Sequence, residues 1–309
     1  MRDLSKSSSD TAALRLERRI APRRNTAIEA HISFDKARVP CIIRNVSDTG
    51  AKLEVAKVAG IPDVILLHAP GHRPQTCRVA WRALKEMGVR PQDTIASVQG
   101  FGNVARYAIE LYQQIGGKVI AVSCWDQNDR TSYTFKKAGG IDYAELVSIT
   151  DSFGSIDRKK AGDLGYEILD GSAWIEQDVD ILIPAALENQ INADTVSKMS
   201  RRVKLLAEGA NGPTTLEADE TIRKRGIFLV PDFLANAGGV TCSYFEQVQS
   251  NMNYYWTKEE TLGKLDEKMT AAFIAVSELA RQKKIYMRDA AYVIAIDRVA
   301  KATRYRGWV

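Results

Sequence analysis

Apolar and polar residues alternate with a period of about two through the first part of the chain. Between Ala27 and Arg82, short apolar runs are separated by Asp, Gly, Pro and Asn residues, which are typical of turns. Five or six short strands with little helix between them are typical of a sheet that closes on itself. The pattern therefore predicts a small antiparallel β-barrel.

The pattern changes after Pro91. From there on, short apolar runs alternate with segments whose apolar residues recur at the spacing of an α-helix. A strand at 94–99 leads through a glycine-rich turn into a helix at 103–117, and another strand follows at 118–123. Three later apolar runs predict further strands, at 179–186, 203–210 and 226–233. Strands alternating with helices favour a parallel sheet that is covered on both faces.

Two amphipathic helices are predicted at the end of the chain, at 258–283 and 288–305. The apolar residues along one face of the first helix are Leu262, Leu265, Met269, Phe273, Val276 and Leu279. A change of pattern this marked indicates two domains.

We expect a disordered tail at 1–14, the barrel at 15–90 and the α/β domain at 91–309. The segment 83–90 fits either the last strand of the barrel or a helix that leads into the second domain.

Composition excludes several classes of protein. The chain has 309 residues, of which 45% are hydrophobic and 26% charged, unlike disordered or fibrous chains. No apolar run has the length of a membrane span, and the polar N-terminus does not resemble a signal peptide. Its four cysteines are far apart and have no metal-ligand spacing. These features predict a cytoplasmic protein without a metal site, a disulfide framework or contact with a membrane.

The formal net charge of +5 is unevenly distributed. Residues 1–90 contain 17 Lys and Arg against 9 Asp and Glu, whereas residues 91–309 contain 26 against 29. Arg18, Arg19 and Arg23 lie just before the first predicted strand. Guanidinium groups hold phosphates in bidentate geometry and stack on planar bases. The basic module is therefore predicted to bind an anion, the alternative being a solvated arm such as those that bind nucleic acid.

A polar turn between two predicted strands follows these arginines, with Asn45, Ser47 and Gly50 at its key positions. The arginines and the turn together resemble the PilZ family, whose R-x-x-x-R and D/N-x-S-x-x-G motifs bind the bacterial second messenger cyclic di-GMP. This resemblance covers residues 15–90 and favours cyclic di-GMP over nucleic acid as the partner. The residues it assigns to this ligand are Arg18, Arg19, Arg23, Asn45, Ser47 and Gly50.

A glycine-rich turn lies between the first strand and the first helix of the second domain. This is the setting of the dinucleotide fingerprint of Rossmann-type folds, in which a pyrophosphate faces the N-terminus of the helix. The first glycine, Gly100, allows the tight turn, and the second, Gly102, allows backbone amides to approach the pyrophosphate closely. The residues predicted to bind a dinucleotide here are Gly100, Phe101, Gly102, Asn103 and Val104, with Ala105 packing the helix onto the sheet.

The end of the strand at 118–123 determines which dinucleotide is expected, because an acidic residue there reads the ribose hydroxyls. Cys124 occupies that place, and the nearest acid is Asp126. Arg130 lies close by and offers a charge for a 2′-phosphate. The sequence leaves NAD and NADP open as cofactors and favours NAD, with Asp126 as the ribose ligand.

Three polar loops follow the last three predicted strands, within 184–189, 207–215 and 231–240. They should meet at the carboxyl edge of the sheet, where such folds bind ligands. With the segments 242–249 and 286–292, these loops resemble the cofactor domain of the Glu/Leu/Phe/Val dehydrogenase family, glutamate dehydrogenase in particular. The resemblance implies that Asn211 and Asn236 contact the nicotinamide end, that Asn189 lies near the adjoining ribose, and that Val240 and Ser243 line an amino-acid pocket.

The resemblance leaves one part of the family's machinery unmatched. Oxidising an amino acid requires a lysine of lowered pKa and a carboxylate that relays protons. The sequence contains no Lys-Gly-Gly run and no Pro-Ala-Pro-Asp, so no catalytic residue is assigned.

Three interpretations follow from this gap. The first is a fusion that binds cyclic di-GMP and a dinucleotide without oxidising amino acids, and this is the one the missing chemistry favours. The second is a working glutamate dehydrogenase regulated by cyclic di-GMP, with the missing groups supplied by a partner or by unassigned residues. The third is an engineered or misassembled fusion. Aromatic residues left uncovered by a missing lobe predict self-association, namely Tyr254, Tyr255, Trp256 and Trp308.

Overall fold

The computed structural model describes residues 24–34, 37–47, 50–55, 64–68, 75–78 and 82–308. The chain divides into two compact units, 1–81 and 82–309. Each unit is described by itself below.

The first unit contains a five-stranded antiparallel sheet. Its strands are β1 (Arg24–Phe34), β2 (Ala37–Ser47), β3 (Gly50–Val55), β4 (Val64–His68) and β5 (Gln75–Arg78). The strand order is β3-β2-β1-β4-β5, so among the described strands β3 and β5 are the two edges and a closed barrel is not shown. Ile32, Cys41 and Ile43 are its buried apolar side chains within the described range.

The second unit contains seven strands and ten helices in its described part. The strands are β6 (Ile95–Gln99), β7 (Lys118–Asp126), β8 (Thr131–Lys136), β9 (Glu167–Asp170), β10 (Ile181–Pro184), β11 (Leu205–Ala207) and β12 (Phe228–Val230). The helices are α1 (Arg82–Glu86), α2 (Asn103–Gln114), α3 (Tyr143–Ser148), α4 (Arg158–Asp163), α5 (Ala193–Lys198), α6 (Leu216–Lys224), α7 (Asp232–Ala235), α8 (Ala237–Met252), α9 (Lys258–Lys283) and α10 (Met287–Tyr305). Short 3₁₀ turns are found at Pro91–Asp93 and Gly171–Trp174.

The sheet of this unit is mixed, so the prediction of a parallel sheet is confirmed for five of its seven strands and is wrong for β8 and β9. The strand order is β12-β11-β10-β6-β7-β8-β9. The five strands from β12 to β7 are parallel, whereas β8 and β9 run antiparallel to their neighbours. A turn of four residues joins β7 to β8, which is too short for the crossover that a parallel pair needs. Arg130, with a φ of 53°, ends this turn.

Two apolar clusters cover the two faces of the parallel strands. Neighbouring residues of one strand belong to different clusters: Ile181 and Leu205 lie on one face, and Leu182 and Leu206 on the other. On the first face α2, α3, α9 and α10 pack against the sheet, and on the second α5 and α6 do so. This alternation is the period of two expected for strands with both faces buried.

The segment 83–90, which the sequence left open between strand and helix, is helical in its first half and contains no strand. α1 belongs to the second unit, and its Leu84 is buried in the cluster on the α2 face. The helices predicted near 258–283 and 288–305 are confirmed as α9 and α10. The predicted apolar face of α9 is covered in its C-terminal half only, because Val276 is buried whereas Leu262 is exposed. None of the described helices is long and apolar enough to cross a membrane.

Candidate functional site

The loops that follow β6, β10 and β11 meet at the carboxyl edge of the parallel strands. Gly209, after β11, lies so close to the other two loops that an added Cβ would be 3.0 Å from Ala185 Cβ and 3.3 Å from Val104 Cγ1. Its backbone N–H and that of Ala210 both donate to the carbonyl of Pro184, at 2.9 Å. The loops predicted to share this edge are thus brought together.

The turn between β6 and α2 requires glycine at its first position. Gly100 has a φ of +99°, and an added Cβ would lie 2.8 Å from the carbonyl oxygen of Ala185. Its N–H donates to the carbonyl of Ser123 at 2.7 Å. Arg106 Nε donates to the carbonyl of Phe101 at 2.8 Å, and the Arg106 guanidinium lies 4.8 Å from the centre of the Phe101 ring. The turn is thus held at Gly100 by β7 and at Phe101 by Arg106 of α2.

The N-terminus of α2 presents its first amides without a side-chain cap. Gly102 is the N-cap residue, no side chain accepts from the first turn, and no described atom lies within 4 Å of an added Cβ at Gly102. Gly102, Asn103 and Val104 are exposed, whereas Ala105 is fully buried against the sheet. A twelve-residue helix with free N–H groups and a positive dipole end is suited to an anion.

Two asparagine side chains meet over β11 and β12. Asn236 Nδ2 donates to Asn211 Oδ1 at 2.7 Å. The loop of Asn211 is held further because the Gly212 N–H donates to Asp232 Oδ2 at 2.8 Å. Asn189, exposed and with a φ of 55°, joins this group through its N–H, which donates to the Gly212 carbonyl at 2.9 Å. The three asparagines singled out in the sequence therefore lie on connected loops.

Val240 and Ser243 lie in the first half of α8, directly after Asn236. Val240 is 70% exposed, and Ser243 Oγ donates to the carbonyl of Gly239 at 3.3 Å. Their separation of three positions puts them on one face of the helix.

The end of β7 differs from the sequence-based prediction, because Asp126 is buried beside an arginine that the sequence did not single out. Cys124 is buried, its Sγ donates to the carbonyl of Gly154 at 3.0 Å, and burial raises the pKa of its thiol to about 11. Asp126 is also buried and accepts from the Asn128 N–H at 2.9 Å. Its other oxygen lies 3.4 Å from Arg158 Nε.

Arg158, from the start of α4, was not singled out in the sequence. It pairs with Asp129 at 2.8 Å and its guanidinium lies 4.3 Å from the centre of the Tyr133 ring. Together with Asp126 it lines an open polar pocket of about 580 Å³. Arg130, the cation that the sequence offered, is not among the residues that line this pocket.

A buried ion cluster behind the asparagine loops was also missed. The guanidinium of Arg288, from the start of α10, donates to both oxygens of Glu208 at 2.8 and 2.9 Å and to both oxygens of Asp219 at 3.0 and 3.2 Å. Glu208 has no exposed side-chain surface. Burial acts to lower the pKa of Arg288, but its hydrogen bonds with Glu208 and Asp219 raise that pKa above its ordinary value. The available signal was the presence of charged residues inside otherwise apolar segments.

Comparison with known proteins identifies the family. A sequence model of the Glutamate/Leucine/Phenylalanine/Valine dehydrogenase family matches residues 76–307. The chain belongs to this family. The match begins in β5 and includes every loop of the site described above, so the resemblance drawn from the loop motifs is confirmed.

Its relatives in this dehydrogenase family include proteins of known specificity. The NAD-specific glutamate dehydrogenase of Staphylococcus aureus (strain COL) is 41% identical over 74% of this chain and 52% of its own. The catabolic NAD-specific glutamate dehydrogenase of Bacillus subtilis (strain 168) is 39% identical over 74% of this chain and 50% of its own. The crystal structure of glutamate dehydrogenase from Peptoniphilus asaccharolyticus matches with a TM-score of 0.59 and 34% identity, over 74% of this chain and 50% of that one. The chain spans about half the length of the relatives it matches.

These findings support the dehydrogenase part of the sequence-based interpretation and give no support to the PilZ part. Arg18, Arg19 and Arg23 lie outside the described residues. The backbone of Asn45, Ser47 and Gly50 is described, in the hairpin of β2 and β3, where Ser47 pairs with Gly50.

Proposed function

We propose that residues 82–308 bind NAD at the edge where the loops after β6, β10, β11 and β12 meet. The observation that carries this proposal is the combination of a glycine turn, with open space beside Gly102, and the uncapped N-terminus of α2. Both features fit a pyrophosphate, since its charge is stabilised by free amides and the helix dipole. The family match supports the same site.

The strand order supports a proposed position for each half of the dinucleotide. With the pyrophosphate at α2, the adenosine half extends towards β7, whose end carries Asp126, and the nicotinamide half extends over β10, β11 and β12. Asn211 and Asn236 then contact the nicotinamide end, and Asn189 lies near the adjoining ribose. Amide side chains suit these positions because they both donate and accept hydrogen bonds.

NAD is proposed over NADP. Asp126 and Asp129 place two carboxylates around Arg158, so this guanidinium at the end of β7 is already paired. A 2′-phosphate would have to compete with both carboxylates for that guanidinium. The relatives from Staphylococcus aureus and Bacillus subtilis, which are NAD-specific, agree with this assignment.

The proposed reaction is the oxidative deamination of L-glutamate, in which the bound nicotinamide would accept a hydride, one water is consumed, and 2-oxoglutarate, ammonium and a proton are released. Val240 and Ser243 would line the pocket for the amino-acid side chain, next to Asn236. The sequence motifs of the catalytic lysine and aspartate are not found in this chain. The proposal therefore includes a partner, or unassigned residues, that supply those two groups.

Two measurements on the full chain test this function. NADH fluorescence titration should show saturable binding, with NADPH binding at least about tenfold more weakly, the cost of about one unpaired charge contact. A measurement of NADH formation from NAD and L-glutamate then distinguishes a working dehydrogenase from a module that only binds the dinucleotide. Turnover supports the dehydrogenase, whereas tight NADH binding without turnover leaves a dinucleotide-binding module. Absence of NADH binding would remove the proposal altogether.

A second candidate function concerns the first unit. We propose that it binds cyclic di-GMP, on the observation that Asn45 and Ser47 at the end of β2 lie close to Gly50 at the start of β3, where Ser47 pairs with Gly50. Calorimetric titration of the full chain with cyclic di-GMP tests this directly. Arg19→Ala with Arg23→Ala should weaken binding at least about tenfold, because charge-assisted contacts to phosphate are lost. Equal affinity in the unmodified and doubly substituted chains would contradict it.

A further inference from the structure

The ion cluster around Arg288 connects the elements that carry the asparagine pair. Glu208 ends the segment that leads into Asn211, and Asp232 begins the segment that leads into Asn236. Arg288 Nη1 donates to Glu208 Oε2 at 2.9 Å, and the same oxygen accepts from the Asp232 N–H, also at 2.9 Å. One buried carboxylate thus ties the guanidinium to the start of α7.

A second connection passes through the side chain of Asp232. Its Oδ1 lies 3.6 Å from Arg288 Nη1, while its Oδ2 accepts from the Gly212 N–H at 2.8 Å. Gly212 follows Asn211 directly, so the loop after β11 and the loop after β12 are bonded to one another. The Asn211–Asn236 hydrogen bond of 2.7 Å lies at the outer end of this arrangement.

The arrangement depends on the fork geometry of arginine. The Arg288 side chain is 14% exposed and meets three carboxylates: those of Glu208, Asp219 and Asp232. A planar guanidinium donates along several fixed directions at once, whereas an ammonium group is a point charge on a flexible stem. A lysine in its place would keep the charge and lose part of the fork.

The adenosine side of the edge is braced by different residues. Arg106 holds the glycine turn through the Phe101 carbonyl, and Arg158 pairs with Asp126 at the end of β7. The contacts that Arg288 makes with Glu208, Asp219 and Asp232 do not extend to either group. The two halves of the edge are therefore supported by separate arginines.

We propose that Arg288 is a positioning residue for the nicotinamide half of the cofactor site, acting through Glu208 and Asp232 on Asn211 and Asn236. This inference rests on the proposed NAD function. It assigns Arg288 no contact with the cofactor. Its effect is confined to ligands that extend over β11 and β12.

The test compares NADH with ADP-ribose, the fragment of NADH that lacks the nicotinamide. Arg288→Lys in the full chain should weaken NADH binding about tenfold, the effect of losing one well-placed charged hydrogen bond. ADP-ribose affinity should stay within about twofold, because Arg106 and Arg158 are unchanged. Both affinities are measured by calorimetric titration.

Arg225→Lys is the matched control. Arg225 is another partly buried arginine, and its guanidinium donates to the carbonyls of Met199 and Ser200, at 3.2 and 2.5 Å, outside the site. This variant should leave both affinities unchanged. Equal weakening of NADH and ADP-ribose in Arg288→Lys, or no weakening of either, would overturn the positioning role.

A second variant keeps the proposal testable if Arg288→Lys does not fold. Asp232→Ala removes the acceptor of the Gly212 N–H from a side chain that is 19% exposed and leaves the Arg288–Glu208 pair in place. NADH binding should again weaken while ADP-ribose binding persists, and a uniform loss would contradict the proposal. If the unmodified chain binds neither ligand, the proposed NAD function itself fails, which is a distinct outcome.

Discussion

Gly100 and Gly102 lie two positions apart in one turn, yet different physical demands act on them. Gly100 has a φ of +99°, and any Cβ added there would lie 2.8 Å from a backbone oxygen, so the fold itself requires glycine at this position. Gly102 has an ordinary φ of −77° and open space beside it. Its lack of a side chain matters only to a ligand that approaches the end of α2.

Substitution of these glycines should therefore separate stability from binding. Gly100→Ala should lower the free energy of unfolding by about 1–3 kcal/mol, because the alanine is strained and displaces Ala185. Gly102→Ala should leave stability within about 0.5 kcal/mol and weaken NADH binding about tenfold or more, since a methyl group would face the pyrophosphate. Denaturant unfolding and NADH titration of both variants check this. Retention of full NADH affinity by a folded Gly102→Ala variant would contradict the assignment of the pyrophosphate.

At this scale the sequence predicted residues whose type is required by local geometry. The glycine turn could be recognised because its residues are contiguous, and the asparagines because each follows an apolar strand. Arg158 and Arg288 could not, since their partners lie far away in the chain: Asp126 for the first and Glu208 for the second. Only the folded sheet brings those pairs together.

Among the elements, β6 and β10 are joined at their starts by one carboxylate. Asp180 Oδ2 accepts from the Ile95 N–H at 3.0 Å and from Arg202 Nη2 at 2.9 Å. Burial acts to raise the pKa of Asp180, but the hydrogen bonds from Arg202 and Ile95 lower it below its ordinary value. The folded chain thus binds this proton less tightly than the unfolded chain does.

The stabilisation from Asp180 should depend on pH with a definite sign. It is fully present above the unfolded pKa of about 3.9 and is lost as the pH falls through the lower folded value. Asp180→Asn should lower the free energy of unfolding by about 1–3 kcal/mol at neutral pH, since hydrogen bonds to a charged group are weakened. The difference from the unmodified chain should begin to narrow below pH ~4, where the unfolded chain takes up the proton first, and should close only below the lower folded pKa of Asp180.

Asp178→Asn provides the control for this measurement. Asp178 lies 3.7 Å from the same Arg202, but its side chain is 74% exposed. Its substitution should change the free energy of unfolding by less than about 0.5 kcal/mol. A difference for Asp180→Asn that stays constant down to pH ~3 would show that its carboxylate is not the titrating group.

Elements with a strong apolar pattern were predicted, and those without one were not. β10, β11 and β12 read as continuous apolar runs because both of their faces are buried. β8 consists largely of Thr, Ser, Tyr and Lys, and β9 has four residues with acids at both ends. Their pairing with β7 depends on a short turn and on neighbours already in the sheet, which is why the mixed sheet was missed.

At the scale of the whole molecule, about half of the exposed large apolar side chains among the described residues lie from α8 onwards. Tyr254, Tyr255 and Trp308 are exposed by more than half, as the self-association prediction required, whereas Trp256 packs edge-on against Phe245 at 5.5 Å. Along α10 an apolar surface continues through Tyr292, Val293, Ile296 and Val299. Surfaces of this kind are typical of protein interfaces.

We expect this surface of α10 to mediate association between copies of the chain. Ile296→Asp should shift the species measured by light scattering at tens of micromolar (~10–50 µM) towards the monomer, because a charge would have to be desolvated in the interface. Arg298→Asp, on the opposite side of the same helix, should leave the distribution unchanged. A monomeric unmodified chain at these concentrations would contradict the prediction.

The two rims of the seven-stranded sheet limit how copies can join. One rim is β12, of three residues, and the other is β9, where Glu167 is 3.4 Å from Lys136. Both rims are short, and β9 also has an acidic residue at each end, so they offer few free amides for another chain to continue the ladder. Growth of this chain into fibrillar aggregates through that sheet is therefore disfavoured, and concentrated solutions should contain discrete particles held by helical surfaces.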